Sequence, residues 1–273
     1  MNSSVGLDRL WTRLAAARRK ALLAYLCVGD PSEQQSVSLA CAAIAAGADV
    51  LELGVPFSDP TADGPAIARA SQRAIAAGGG LVSTLRAARA IRARHPETPI
   101  VLFGYYNPIF VHGEERVIAE AAGAVDALLV VDLPIEEAGP LRALAAKRGI
   151  VLVPLLTPTS SPARVEAVRR AHAEHPVGFV YYVSVAGVTG SAVAPLAEAS
   201  VQASRLRDAL GVPVVVGFGI DSAEKARVAG AHADGVVVGT AIVRRIEDAR
   251  TDAEREGRVT SLVRELRAGL DAC

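Results

Sequence analysis

Short apolar runs recur along the chain with Ala/Leu/Arg-rich stretches between them. Eight read as strands: 22–27, 49–53, 99–103, 126–131, 150–154, 178–184, 212–216 and 234–238. The runs are continuously apolar rather than alternating, as in strands covered on both faces, and each gap holds a segment with helical spacing. Eight strands each followed by a helix predict an α/β fold, a (βα)8 TIM barrel, with extra helices over 5–18 and over 64–95, the latter broken at Gly78–Gly80. A local repeat supports this reading. AAGADVLELG at 45–54, AAGAVDALLVVD at 121–132 and VAGAHADGVVVG at 228–239 each pass from a helix end through Gly and Asp into a strand. No Ser/Pro-rich linker or composition break divides the chain, so residues 1–273 are expected to form one barrel domain.

Composition narrows the function classes. Lys and Arg total 29 and Asp and Glu total 29, so no net field draws the chain to nucleic acid or anionic lipid. Apolar residues make up 51%, yet no uncharged apolar run approaches the roughly 18 residues that span a bilayer. Cys27, Cys41 and Cys273 are odd in number and lack CxxC spacing, which fits a reducing, cytoplasmic setting. The Arg-rich N-terminus carries Leu7, Leu10, Trp11 and Leu14 at helical spacing and is read as part of the fold rather than as a signal.

In such a barrel the residues following each strand share the catalytic face. The polar set there is Gly29–Asp30, Glu52, Ser58, Asp59, Asp63, Tyr105, Asn107, Asp132, Thr157, Tyr181, Ser184, the loop 187–190, Gly217–Gly219 and Gly239–Thr240. Lys20, Lys147 and Lys225 fall elsewhere, which removes the amine that an imine-forming aldolase needs. His95, His172, His175 and His232 lie in helices or on the opposite face, leaving His112 alone near strand 3, so no metal is expected. Glycine turns at 187–190, 217–220 and 239–242 expose backbone N–H groups ahead of helices, a pattern suited to a phosphate ester. Carboxylates remain. Glu52 sits in an apolar strand, where burial should raise its pKa, although backbone donors could equally satisfy it in a structural role. Asp63, two residues before Pro65, reads as a functional acid or as the N-cap of the following helix.

The segment LELGVPFSDPTADGP at 51–65 resembles the signature of the tryptophan synthase alpha chain family. The resemblance continues through LCVGDP at 26–31, YYNPIF at 105–110, VVDLP at 130–134, SVAGVTG at 184–190, GFGI at 217–220 and VVGTAIV at 237–243. It implies cleavage of indole-3-glycerol phosphate to indole and glyceraldehyde 3-phosphate, with indole passed to a beta chain. It further implies a complex of two alpha and two beta chains, with pyridoxal phosphate on the beta chain and no cofactor in this one. By motif, Glu52 becomes the acid/base and Asp63 the acceptor of the indole N–H, with Tyr181 assisting. Gly190, Gly219, Gly239 and Thr240 become the phosphate cradle, and Tyr25, Phe103 and Phe218 the indole pocket. Protonating the indole ring would create an electron sink, which accounts for a retro-aldol cleavage without lysine or metal. Thr61 and the segment after Gly190 depart from the family pattern. A weakly catalytic allosteric subunit, a stand-alone lyase releasing indole and a different phosphate-substrate isomerase are the competing readings.

Four of the chain's eleven aromatic residues, Phe103, Tyr105, Tyr106 and Phe110, cluster at the end of strand 3. Ile109 and Phe110, beside Pro108, are expected at an exposed loop tip that meets the beta chain together with Pro56, Ser58 and Asp59.

Overall fold

The computed structural model describes residues 4–183, 194–217 and 219–273. Its elements in order are α1 (Ser4–Ala16), β1 (Ala21–Cys27), α2 (Glu33–Ala46), β2 (Val50–Gly54), α3 (Pro65–Ala76), α4 (Leu81–Arg94) and β3 (Ile100–Gly104). There follow α5 (Tyr106–His112), α6 (Glu114–Ala121), β4 (Ala127–Val130), α7 (Gly139–Ala146), β5 (Val151–Leu152), β6 (Leu155–Leu156) and α8 (Pro162–Glu174). The last are β7 (Val180–Val183), α9 (Ala194–Leu210), β8 (Val214–Gly217), α10 (Ala223–Gly230), β9 (Gly235–Val238), α11 (Thr240–Glu247) and α12 (Asp252–Asp271).

All strand pairs are parallel, and the ladder runs β5-β4-β3-β2-β1-β9-β8-β7-β6. Its two ends are pieces of one apolar segment, so residues 151–156 close the barrel. The expected fifth strand is therefore split. Val153 still donates to the Leu128 carbonyl at 2.8 Å, but Pro154 has no N–H to extend that ladder, and its carbonyl instead accepts from Tyr181 at 3.0 Å. Pairing switches from β4 to β7 at the proline.

Side-chain alternation sorts the core into two layers. Leu23, Val50, Val101, Ala127, Leu129, Val215 and Val237 fill the barrel, while Leu22, Leu51, Leu53, Leu102, Leu128 and Val236 face the helical shell. Helix α1 plugs the N-terminal mouth. Leu7, Leu10 and Leu14, three to four residues apart, are buried against this inner layer, and Trp11 meets Phe179 edge-on at 5.8 Å. Each buried leucine stabilises the plug by about 2 kcal/mol.

The Gly-to-Asp repeat is a latch at that same end. Asp49, Asp126 and Asp234 each precede a strand, and each accepts the backbone N–H of a residue on an adjacent strand: Leu22 at 3.0 Å, Ile100 at 2.8 Å and Val214 at 2.8 Å. Every one is also paired with an arginine, respectively Arg267, Arg92 and Arg207. Gly47, with φ of 115°, supplies the left-handed turn that ends α2 ahead of the first latch.

Candidate active site

At the opposite end of the barrel lies a cavity of about 430 Å³. The loop after β2 and the start of α3 form one wall through Asp63, Gly64, Pro65 and Ile67. Gly219, Ile220, Gly239, Thr240 and Ala241 form the other, and Phe103, Leu155, Tyr181 and Val183 come from the strand ends between them.

Glu52 shares the inward face of β2 with Val50 and Gly54, at the level of Tyr25 on β1 and Val101 on β3. It is 1% exposed and neither carboxylate oxygen has a hydrogen-bond partner. Burial alone pushes its pKa from 4.5 to about 8, so the group is a neutral acid at pH 7. The alternative of a carboxylate satisfied by backbone donors does not hold.

Asp63 is not a helix cap. Gly64 is the N-cap of α3 and Pro65 takes its first position, while the Asp63 carboxylate accepts from the Tyr105 hydroxyl at 3.0 Å. That hydroxyl in turn accepts the Ala62 N–H at 3.0 Å, and Phe57 packs over the Tyr105 ring at 5.0 Å. Burial raises the Asp63 pKa and the Tyr105 hydrogen bond opposes the rise. Tyr105 thus holds Asp63 rather than lining the cavity. The tyrosine pair after strand 3 was visible, but its partner lies 42 positions away.

Tyr25 is buried and Tyr181 half-buried, and their hydroxyls ionise only well above the usual range. Desolvation is the main cause, with Glu52 and Asp63 both contributing, so the four groups form one electrostatic constellation. Each hydroxyl lies over a glycine on the neighbouring strand, Gly54 for Tyr25 and Gly217 for Tyr181, closer than any β-carbon could tolerate. Tyr181 lines the cavity. Tyr25 does not, but packs edge-on against Phe103, which does, at 5.3 Å.

On the phosphate side, Gly219 has φ of 70° with open space around it, and Gly239 caps α11 so that Thr240 begins the helix at the cavity wall. Gly190 and Phe218 lie outside the described residues, as does Ser184. Arg69 and Arg244, absent from the motif reading, also line the cavity. Arg69 grips Glu247 with two contacts of 2.8 Å, and Arg73 bridges Glu247 at 2.7 Å to the buried Asp30 at 2.7–2.8 Å. These arginines, Arg69 foremost, hold the Glu247 pKa down to about 2. The network ties α3 to α11, the two helices whose first turns flank the cavity.

Among the described residues, no lysine lines this cavity. Lys20 bonds the Ala233 carbonyl at the far end of the barrel, and Lys225 pairs with Asp221. Cys27 is buried and its thiol is pushed up to about 12 by desolvation, which leaves it unreactive. His112 meets Glu120 at 3.1 Å on the outer surface.

Two of the residues expected at a partner surface are buried instead. Pro56 is covered by the turn between α3 and α4 at Gly79, and Ile109 points into the core because 106–112 is a helix rather than a loop tip. Ser58 and Asp59 are exposed, Pro108 is half-buried, and Phe110 is 65% exposed beside Val111 at 76%.

The family model described as Tryptophan synthase alpha chain matches residues 11–270. The chain belongs to the tryptophan synthase alpha chain family. It is 45% identical over 269 residues to the alpha chain of Geotalea daltonii, covering 97% of this chain and 99% of that one. It is 45% identical over 265 residues to that of Nitrosococcus oceani, covering 96% of each. Its barrel is similar to the crystal structure of the alpha subunit from Legionella pneumophila, with a TM-score of 0.88, 34% identity and full coverage of both chains. It is also similar to a chain of tryptophan synthase from M. tuberculosis, with a TM-score of 0.84, 32% identity and coverage of 97% and 98%. The family's members are lyases of tryptophan biosynthesis that cleave indole-3-glycerol phosphate, and the fold expected from the sequence is the fold they share.

Proposed function

We propose that Glu52 and Asp63 divide the cleavage of indole-3-glycerol phosphate between them. Neutral Glu52 delivers its proton to the indole ring carbon that bears the glycerol phosphate chain, generating an iminium. Now a carboxylate, it takes the proton from the hydroxyl on the adjacent chain carbon. The carbon–carbon bond breaks, its electron pair returns to the ring as indole forms, and the hydroxyl carbon becomes the aldehyde of glyceraldehyde 3-phosphate. Glu52 ends as it began. Asp63, held by Tyr105, accepts the indole N–H bond and stabilises the transient positive charge. Tyr181 assists at the reacting carbons, while Phe103, Phe218 and Tyr25 enclose the indole. Backbone groups of Gly190, Gly219, Gly239 and Thr240 hold the phosphate. The observation that carries this reading is the unpartnered, fully buried Glu52 carboxyl raised to about 8 beneath a cavity that Asp63 lines.

The chain acts as one barrel domain in the cytoplasm, as the alpha half of a complex with two alpha and two beta chains. Pyridoxal phosphate is assigned to the beta chain by the family resemblance, and this chain is read as carrying no cofactor. Ser58, Asp59, Pro108, Phe110 and the adjoining Val111 face that partner. The test is indole release from indole-3-glycerol phosphate by the purified chain, with and without a beta chain. Slow release that rises strongly on mixing is expected. Full activity alone marks a stand-alone lyase, and no cleavage in either case removes the reading.

A further inference from the structure

Among the described residues, four charged side chains line the cavity, and three are committed. Asp63 is bonded to Tyr105, Arg69 is gripped by Glu247, and Asp221 is neutralised by Lys225 at 2.8 Å. Arg244 is the exception: its side chain makes no hydrogen bond or ion pair with any described residue, although neighbouring Glu247 is already held by two other arginines. An exposed arginine on a helix ordinarily needs no explanation, but this one has a defined geometry. It stands four residues after Thr240 on α11, hence on the same helix face and one turn further along. Helical side chains lean toward the N-terminus, and one turn rises only ~5 Å, well within the reach of an arginine. An extended Arg244 guanidinium reaches the first turn of α11, where Gly239 and Thr240 line the cavity.

We propose that Arg244 is a specificity-determining residue for the substrate's phosphate, pairing its two-pronged guanidinium with a dianion that the backbone cradle grips from the other side. This rests on the assignment of that cradle to phosphate. The backbone N–H groups supply partial charge only, and Asp221 on the same wall is already paired with Lys225, so a full positive charge at Arg244 selects for a phosphate ester over an uncharged glycerol chain.

The test compares wild type with Arg244→Gln and with Arg245→Gln, which removes the same charge one position on, outside the cavity lining. The readouts are kcat and KM for indole-3-glycerol phosphate and the inhibition constant of glycerol 3-phosphate, across ionic strength. Arg244→Gln should raise KM and the inhibition constant roughly tenfold, far more than it changes kcat, and should flatten their salt dependence. Arg245→Gln should leave both near wild type. Equal effects from the two variants, or an unmoved inhibition constant in Arg244→Gln, overturn the proposal. Because Arg244 is exposed and unbonded, both variants should unfold at the wild-type temperature; a lowered midpoint for Arg244→Gln would show a structural role and overturn it as well. If glycerol 3-phosphate fails to inhibit the wild type, the cradle assignment itself falls.

Discussion

Replacing Glu52 with Gln should make the protein more stable and almost inactive. The amide keeps the volume of the protonated carboxyl and removes only the ability to ionise. In the native chain burial holds the carboxyl's proton up to about pH 8, whereas an unfolded chain releases it near the ordinary 4.5. Between those two values the native state binds more protons than the unfolded state, so rising pH progressively favours unfolding of the wild type. At 1.4 kcal/mol per pH unit the loss reaches about 3 kcal/mol at pH 7 and about 4 kcal/mol at pH 8, and levels off at about 5 kcal/mol above that. The Glu52→Gln variant has no such dependence. For a chain of this length 1 kcal/mol moves the unfolding midpoint by roughly 2 °C, so the variant should match the wild type near pH 4.5 and exceed it by roughly 10 °C above pH 8. Calorimetric scans of both proteins between about pH 5 and pH 9, paired with indole release on the same samples, measure the divergence and the expected ~100-fold loss of turnover together. Parallel midpoint curves would mean that Glu52 ionises without cost in the folded barrel, and the account of its protonation would be refuted.

Asp63→Asn should cut turnover by at least ~100-fold while glycerol 3-phosphate still binds and the unfolding midpoint holds, because the residue caps no helix. Tyr105→Phe, which removes only the hydrogen bond that positions Asp63, should cost roughly tenfold; equal losses in the two variants would give Tyr105 a role of its own. Phe110→Asp should weaken association with a beta chain by roughly tenfold or more and leave cleavage by the isolated chain intact, as measured by titration of the rate activation. Unchanged affinity would place the interface elsewhere.

The barrel was legible because its strands are buried on both faces and so stand out as unbroken apolar runs. That same property hid the break at Pro154, since VLVPLL stays apolar while its hydrogen bonds change partner. Glu52 was legible as a lone acid in such a run. Asp63 was ambiguous because a cap and a catalytic acid occupy the same place before a proline, and only the Tyr105 contact from another strand separates them. The surface residues around strand 3 were misjudged for a local reason: a seven-residue helix with one polar flank does not reveal its phase, so Ile109 and Phe110 looked alike although one is core and the other is exposed. Arg69 escaped notice because its partner Glu247 is 178 positions away.

The interruption at Pro154 also bears on how the barrel assembles. Strands β1 to β5 form an arc whose neighbours are consecutive in sequence, and β6 to β9 form a second. Within the sheet, two seams join the arcs among the described residues, the covalent turn at 153–154 and the β1–β9 ladder, which pairs Ala21 with Gly235 and continues to Ala24 with Val238. The ladder must close a loop of some two hundred residues, a large entropic debt that the arcs' local pairings do not carry. Either arc can thus gather on its own before the circle shuts. Amides of β5 and β6, with two paired positions each, should then exchange with deuterium sooner than those of β1 and β2, with five between them. Leu155 on β6 also lines the cavity, so any breathing of this seam is felt directly at the wall of the site.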